Sequence, residues 1–173
     1  TEKVRVARSA HRHSMTTLRF GPPGKVASEA RSPGDKSISD RALLLSACAR
    51  GTTMITEINR GEDVQATIAA LHALGIAVTD DGPTVRVAGS DLAAEAGSID
   101  CGNSGTTMRL LMGVLAGRTA CTLDGDSSLR RRPMERVAEP LRMMGAAITT
   151  APGGVPPVAL RIGGRLSGID SSL

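Results

Sequence analysis

Lys36, Ser37, Ser39 and Arg41 stand together in the stretch SPGDKSISDRALLLSACARG, which runs from Ser32 to Gly51. They head a long apolar run. A lysine and an arginine beside two hydroxyls is a set suited to holding an anion. At a helix mouth, unpaired backbone N–H groups and the helix dipole add to that attraction. The theme recurs. CGNSGTTMR, from Cys101 to Arg109, offers Asn103, Ser104, Thr106, Thr107 and Arg109. LRRRPMER, from Leu129 to Arg136, sets arginines ahead of Pro133. With Pro133 as the first helical residue, Arg132 sits at the helix mouth and can fork onto a carboxylate or phosphate. Three anion-attracting helix starts imply a small ligand with more than one negative group.

The first stretch does not fit an ATP-binding loop. G-x-x-x-x-G-K-[ST] needs glycines that are absent here, because Asp35 precedes Lys36 and Ala30 occupies the earlier glycine position. Without them the cradle of amides cannot form, and Asp35 would repel a polyphosphate. Taken alone, the stretch also suits a solvated loop with Ser37 or Ser39 as N-cap. Its recurrence at the other helix starts weighs against that.

The elements that must carry these groups repeat. RALLLSACARGTTMITEI, Arg41 to Ile58, aligns with RLLMGVLAGRTACTLDG, Arg109 to Gly125. VQATIAALHALGIAVT, Val64 to Thr79, aligns with MERVAEPLRMMGAAIT, Met134 to Thr149. The period is about 70 residues, and each copy reads as strand, helix, strand, helix, strand, strand. In the first copy helices are predicted at roughly 39–49 and 62–74, with strands at 52–58, 76–79 and 84–88. In the second, helices fall at roughly 105–116 and 133–144, and strands at 119–123, 146–149 and 157–162. Gly75 and Gly145 suit helix C-caps, where a left-handed residue is needed. Ile68, Leu71 and Leu74 give the second helix one buried stripe. Leu43, Leu44, Leu45 and Ala47 make the first helix apolar on several sides, which predicts an interior helix.

Composition narrows the function. The chain has 173 residues, a net charge of +4, one Phe and neither Tyr nor Trp. The core must be aliphatic, and an aromatic platform for single-stranded nucleic acid is not available. Much of the positive charge lies in the first 31 residues, which reads as a solvated basic arm rather than a nucleic-acid or membrane contact. Cys48, Cys101 and Cys121 are widely spaced, so they read as free thiols. His11, His13 and His72 complete no metal cluster, and no apolar run is long enough for a membrane span.

PGDKSISDRALLLSACARGTT, CGNSGTTMRLLMGVLAG and LDGDSSLRRRPMERVAEPLRMMGA together resemble the 5-enolpyruvylshikimate-3-phosphate synthase (3-phosphoshikimate 1-carboxyvinyltransferase) family, in order and at matching distances. The resemblance implies an α/β fold of repeated βαβαββ units, the enolpyruvyl transferase fold (an inside-out α/β barrel), with about two of six units present. On that basis residues 1–23 are a basic arm, disordered in part or an inter-domain strand. Residues 24–97 and 98–165 are the two units. Residues 166–173 begin the next unit or form a tail. The family joins the enolpyruvyl group of phosphoenolpyruvate to the 5-hydroxyl of shikimate 3-phosphate by addition and elimination, releasing phosphate, without cofactor or metal. Its members are usually monomeric and are the target of glyphosate. Location would be cytoplasmic in a bacterium, or a plastid in a plant or alga.

Residue by residue, Lys36 matches the lysine that contacts both substrates and is the catalytic candidate. Ser37 and Arg41 match residues that hold shikimate 3-phosphate. Asn103 and Gly105 match the loop that approaches phosphoenolpyruvate, and Arg132 matches the arginine that grips it. Thr106 and Arg109 share that motif; Thr106 is expected to cap its helix and Arg109 to support the loop. Asp40 stands where relatives carry Asn or His, and would lower the local positive potential unless it paired with Arg41. Leu110 replaces a Pro of some relatives, and Ser104 an Ala. Asp63, Asp126 and Glu135 read as helix caps and dipole partners. The family is more than twice as long as this chain, and its second domain carries the acids assigned to proton transfer. The chain therefore reads as an N-terminal portion that is inactive alone and needs the missing C-terminal part as partner. The alternatives are a non-catalytic domain binding a small phosphate ester, or an enzyme like UDP-N-acetylglucosamine carboxyvinyltransferase.

Overall fold

Asp35 opens the first helix because its carboxylate accepts a hydrogen bond from the Ile38 N–H, 2.8 Å away. An extended acid in this position satisfies one of the orphan donors of the first turn. Helix α1 therefore runs Lys36–Cys48, three residues earlier than the predicted start at 39. The computed structural model describes residues 32, 34–92 and 95–170, all in one compact unit. The basic arm at 1–23 and the expected opening strand of the first unit lie outside them, as do His11 and His13.

After α1 come β1 (Gly51–Thr56), α2 (Glu62–Ala73), β2 (Ala77–Asp80) and β3 (Thr84–Gly89). The second copy follows as β4 (Glu95–Asp100), α3 (Gly105–Leu115), β5 (Ala120–Asp124), α4 (Glu135–Met143), β6 (Ala147–Ala151) and β7 (Val155–Arg161). β4 crosses the 97/98 boundary expected between the units. A short 3-10 turn, Leu129–Arg131, precedes α4.

The sheets show the repetition directly. β1, β3 and β2 form an antiparallel sheet in that order, and β5, β7 and β6 repeat that order in the second. β4 adds a parallel strand beside β5. Such a parallel neighbour needs a crossover, which α3 supplies. The ends of α2 and α4 are also equivalent. Gly75 (φ +77) and Gly145 (φ +98) occupy left-handed positions. Beyond them, Ile76 donates to the Leu71 carbonyl and Ala146 to the Leu141 carbonyl, both at 2.9 Å. These are paired Schellman caps, as the glycine spacing predicts.

The core is aliphatic. Leu71, Ile99, Met108, Leu111 and Leu123 are among its fully buried side chains. α1 is not buried on all sides, contrary to expectation. Leu43, Leu44 and Ala47 face inward, but Leu45 is 71% exposed and Ile38 70%. A helix turns 100° per residue, so three consecutive leucines cannot all face one neighbour. Ile68, Leu71 and Leu74 do form the buried stripe of α2. Replacing Leu71 by Ala is expected to destabilise the fold by about 2–5 kcal/mol, read from the midpoint of a urea titration.

Candidate functional site

Lys36 and Ser37 form the first turn of α1, and both are exposed. The Lys36 ammonium donates to Asp63 Oδ2 at the start of α2, 2.5 Å away. That bond is the main reason its pKa is raised, so the lysine stays charged. Arg41 lies one turn on and folds its guanidinium back onto the Ser37 carbonyl at 2.9 Å. The Ser37 hydroxyl has no hydrogen-bond partner among the described residues, whereas Ser39 is buried. Ser39 donates to the Asp35 carbonyl at 2.7 Å and accepts from the Asn59 N–H at 3.0 Å. Neither serine caps the helix. Asp35 does, a role its position just before the helix makes legible.

The second cluster is built where α3 begins. Ser104, not Thr106, is its N-cap, and its hydroxyl accepts from the Thr107 N–H at 3.1 Å. Gly105 follows, buried beneath two guanidinium groups. A Cβ there would lie 2.8 Å from Arg109 Nη1 and 3.2 Å from Arg132 Nη1. Arg109 donates to the Pro133 carbonyl at 3.0 Å and the Gly105 carbonyl at 3.3 Å, so it ties the loop before α4 to the start of α3. Burial, then the Arg132 and Arg136 charges, lower its pKa. Arg132 donates to Asn103 Oδ1 at 2.5 Å.

Pro133 does not open α4. That helix begins at Glu135, after Met134 has donated its N–H to the Gly154 carbonyl at 2.7 Å. Arg132 is extended, as the residue before a proline tends to be. Of the neighbouring arginines, Arg130 is already matched by Asp124, through bonds of 2.9 and 2.5 Å. This pairing holds the Asp124 carboxyl below its usual range. Arg132 is left to bond Asn103, and its charge is the weakest of the influences on the Lys36 ammonium. The fold thus brings Lys36, Ser37 and Arg41 into one charged neighbourhood with Asn103, Gly105, Arg109 and Arg132. Thr106 lies in the first turn of α3 without a side-chain hydrogen bond.

Sequence reading missed what lies beneath. Asp40 is fully buried and does not pair with Arg41. Its Oδ1 accepts from the Thr67 hydroxyl at 2.9 Å. Thr67 Oγ1 lies 2.8 Å from Thr107 Oγ1, which lies 2.7 Å from Ser104 Oγ. Asp63 serves as the counter-ion of Lys36 rather than a cap, and Glu135 bonds Arg142. Asp126 lies ahead of the 3-10 turn, whose N-cap is Ser128, and accepts from the Leu129 N–H at 2.7 Å. The buried threonines Thr67 and Thr107 carried no warning in the sequence, since threonine suits many sites.

Burial pushes the Cys101 thiol up to about 12 and the Cys121 thiol up to about 11, so both are unreactive. Among the described residues there is no metal-binding group of three or more His, Cys, Asp or Glu side chains. No helix among them is long and apolar enough to cross a membrane. A cavity of about 560 Å³ lies at the other ends of α1 and α3, beside Cys48, Arg118 and Arg165, and contains none of the site residues.

Comparison with known proteins accounts for the geometry. The family model described as EPSP synthase (3-phosphoshikimate 1-carboxyvinyltransferase) matches residues 21–173. The chain belongs to the EPSP synthase family. The 3-phosphoshikimate 1-carboxyvinyltransferase of Halorhodospira halophila is 51% identical over 162 residues, covering 90% of this chain and 36% of the relative. That of Geotalea uraniireducens is 46% identical, covering 90% of this chain and 37% of the relative. The solved EPSP synthase of Acinetobacter baumannii superposes with a TM-score of 0.76 at 43% identity, over 80% of this chain and 33% of that one. The chain spans little more than a third of the length of these family members. Its mixed α/β sheets and repeated order are those of the enolpyruvyl transferase fold expected from the motifs.

Proposed function

We propose that this chain forms one wall of a cleft in which the enolpyruvyl group of phosphoenolpyruvate is transferred to the 5-hydroxyl of shikimate 3-phosphate. The observation that carries this reading is that Asp63, whose carboxylate holds Lys36 of one repeat, lies with its carbonyl 3.3 Å from Thr107 Oγ1 at the start of α3 in the other, where Arg109 and Arg132 cover Gly105. Two anions of opposite reactivity must be held side by side without repelling each other. A lysine between two arginine-bearing loops does this, and its compact ammonium can face both ligands.

In this reading Ser37 and Arg41 hold the phosphate ester. Asn103 and the Gly105 backbone approach phosphoenolpyruvate, and Arg132 forks onto it. The 5-hydroxyl gives up its proton to a base as its oxygen adds to C2 of phosphoenolpyruvate and C3 takes a proton from an acid, giving a tetrahedral ketal. C3 then returns a proton while the C2–O bond to phosphate breaks. This wall stabilises the charge on the departing phosphate. Proton transfer falls to acids in the part of the relatives that this chain does not match. Glyphosate, an anion of similar size, would compete at the same wall, and the enzyme would work in the cytoplasm.

The test is phosphate release from the two substrates. The chain alone is expected to give no turnover, because catalysis needs all the donors around the developing charge. Adding the remaining two-thirds of a family member, as a separate polypeptide, should restore it. Turnover at family rates by this chain alone would sink the proposed division of labour.

A further inference from the structure

Asp40 lies buried under the charged wall with one carboxylate oxygen unused. Oδ1 accepts from Thr67, while Oδ2 has no hydrogen-bond partner among the described residues. Thr67, Thr107 and Ser104 are also buried. Their hydroxyls form an unbroken run from Asp40 on α1, through α2, to the N-cap of α3. The Asp63 carbonyl closes the run from the side, 3.2 Å from Thr67 Oγ1 and 3.3 Å from Thr107 Oγ1. The Asp63 carboxylate holds Lys36, so the same residue ties this run to the wall above it.

The run has a direction. Each hydroxyl has one proton to donate. With Asp40 ionised, Thr67 donates to Oδ1 and Thr107 donates to Ser104, which leaves no hydrogen between the two threonines. With Oδ1 protonated, the carboxyl donates to Thr67, Thr67 to Thr107, and Thr107 to Ser104, the final acceptor. The proton on Asp40 therefore decides whether the run is hydrogen-bonded continuously from α1 to the α3 cap. It also decides whether a negative charge sits beneath Lys36 and Arg41.

We propose that Asp40 is a positioning residue of the anion site, which sets its affinity for phosphate-bearing ligands through its charge and the Thr67–Thr107–Ser104 run. This rests on the anion-binding reading above and adds to it a residue that touches no ligand. Burial raises the Asp40 pKa; the Thr67 bond lowers it, Asp63 raises it, and Lys36 and Arg41 lower it. These are the charges facing it from α1 and α2. Of the other elements packed on α1, β1 has no titratable residue, and β3 has only Arg86, which pairs with Asp81. α3 has only Arg109, which is engaged by backbone carbonyls.

The sign follows. A carboxyl with a raised pKa keeps its proton to a higher pH than a free one and loses it as pH rises. Wild type should therefore lose both stability and anion affinity, relative to Asp40→Asn, over that rise. The probe is inorganic phosphate, titrated into this chain and into Asp40→Asn and followed by amide shifts between about pH 5 and pH 8. Phosphate's own ionisation cancels in the ratio of the two dissociation constants. That ratio, wild type over Asn, should grow about three- to tenfold across the range. The melting temperature of Asp40→Asn should likewise gain on wild type. Asp40→Ala, which removes the acceptor as well as the charge, should bind phosphate more weakly than Asp40→Asn at every pH. A ratio that does not change with pH overturns the inference, as does the absence of phosphate binding by both proteins. Phosphate binding with a flat ratio leaves the family reading standing, because that reading is judged by restored carboxyvinyl transfer.

Discussion

Lys36→Ala is expected to lower carboxyvinyl transfer by about 10²- to 10³-fold when the chain is assayed with the complementary part of a family member. Among the described residues the lysine is the only ammonium, in a neighbourhood otherwise supplied by guanidinium groups and helix starts. Asp63 holds it at 2.5 Å and raises its pKa, so it is charged and ready before any ligand arrives. A ligand anion would have to compete with Asp63 for it, which a doubly charged phosphate can do. Lys36→Arg should rescue poorly, since a planar fork does not present charge to two partners as a point charge does. The Lys36 side chain is 45% exposed, so removing its surface ion pair should barely move the melting temperature. A variant that keeps more than a tenth of the activity would remove Lys36 from the chemistry.

Gly105→Ala is expected to raise the KM for phosphoenolpyruvate about tenfold, with a smaller change for shikimate 3-phosphate, and to weaken glyphosate inhibition further. The added methyl would meet Arg109 Nη1 at 2.8 Å and Arg132 Nη1 at 3.2 Å. Both contacts are ends of flexible side chains, so the guanidinium groups shift rather than the helix. Arg132 would be displaced from its bond to Asn103, and Arg109 from its hold on the Pro133 carbonyl. Alanine is the better helix former, and Gly105 lies in α3 without a left-handed φ, so folding should not suffer. Equal effects on both substrates would argue that the methyl disturbs the wall as a whole. Unchanged KM values would argue that phosphoenolpyruvate lies elsewhere.

Legibility in the sequence followed the range of the forces involved. The repeat could be read because binary patterning and glycine caps are local. Gly75 and Gly145 announce left-handed helix ends within a few residues of the groups they satisfy. The order of the strands, which the sequence analysis did not predict, proved to repeat as well, since identical connections favour identical pairings. The proposed ligand residues could be picked from motif spacing, because a helix start advertises its own unpaired donors. Exposure was less legible. Nothing in LLL says which leucine faces out, and Leu45 proved exposed because α1 meets its neighbours on one side only.

By itself, then, the sequence determined the unit, its recurrence, the aliphatic core and which helix starts carry charge. The tertiary structure decided which groups meet. Asp63 and Lys36 are 2.5 Å apart, although most of a repeat's first half separates them in the chain. Arg130 spends its charge on Asp124, while Arg132, two residues on, reaches Asn103 and the Lys36 neighbourhood. Asp40 read as an acid that would lower the local positive potential unless it paired with Arg41, and became the buried end of a hydroxyl run through Thr67 and Thr107. Coulomb and hydrogen-bond energies depend on separation and burial, and neither is encoded at one position. They exist only once three helices from two repeats have been packed together.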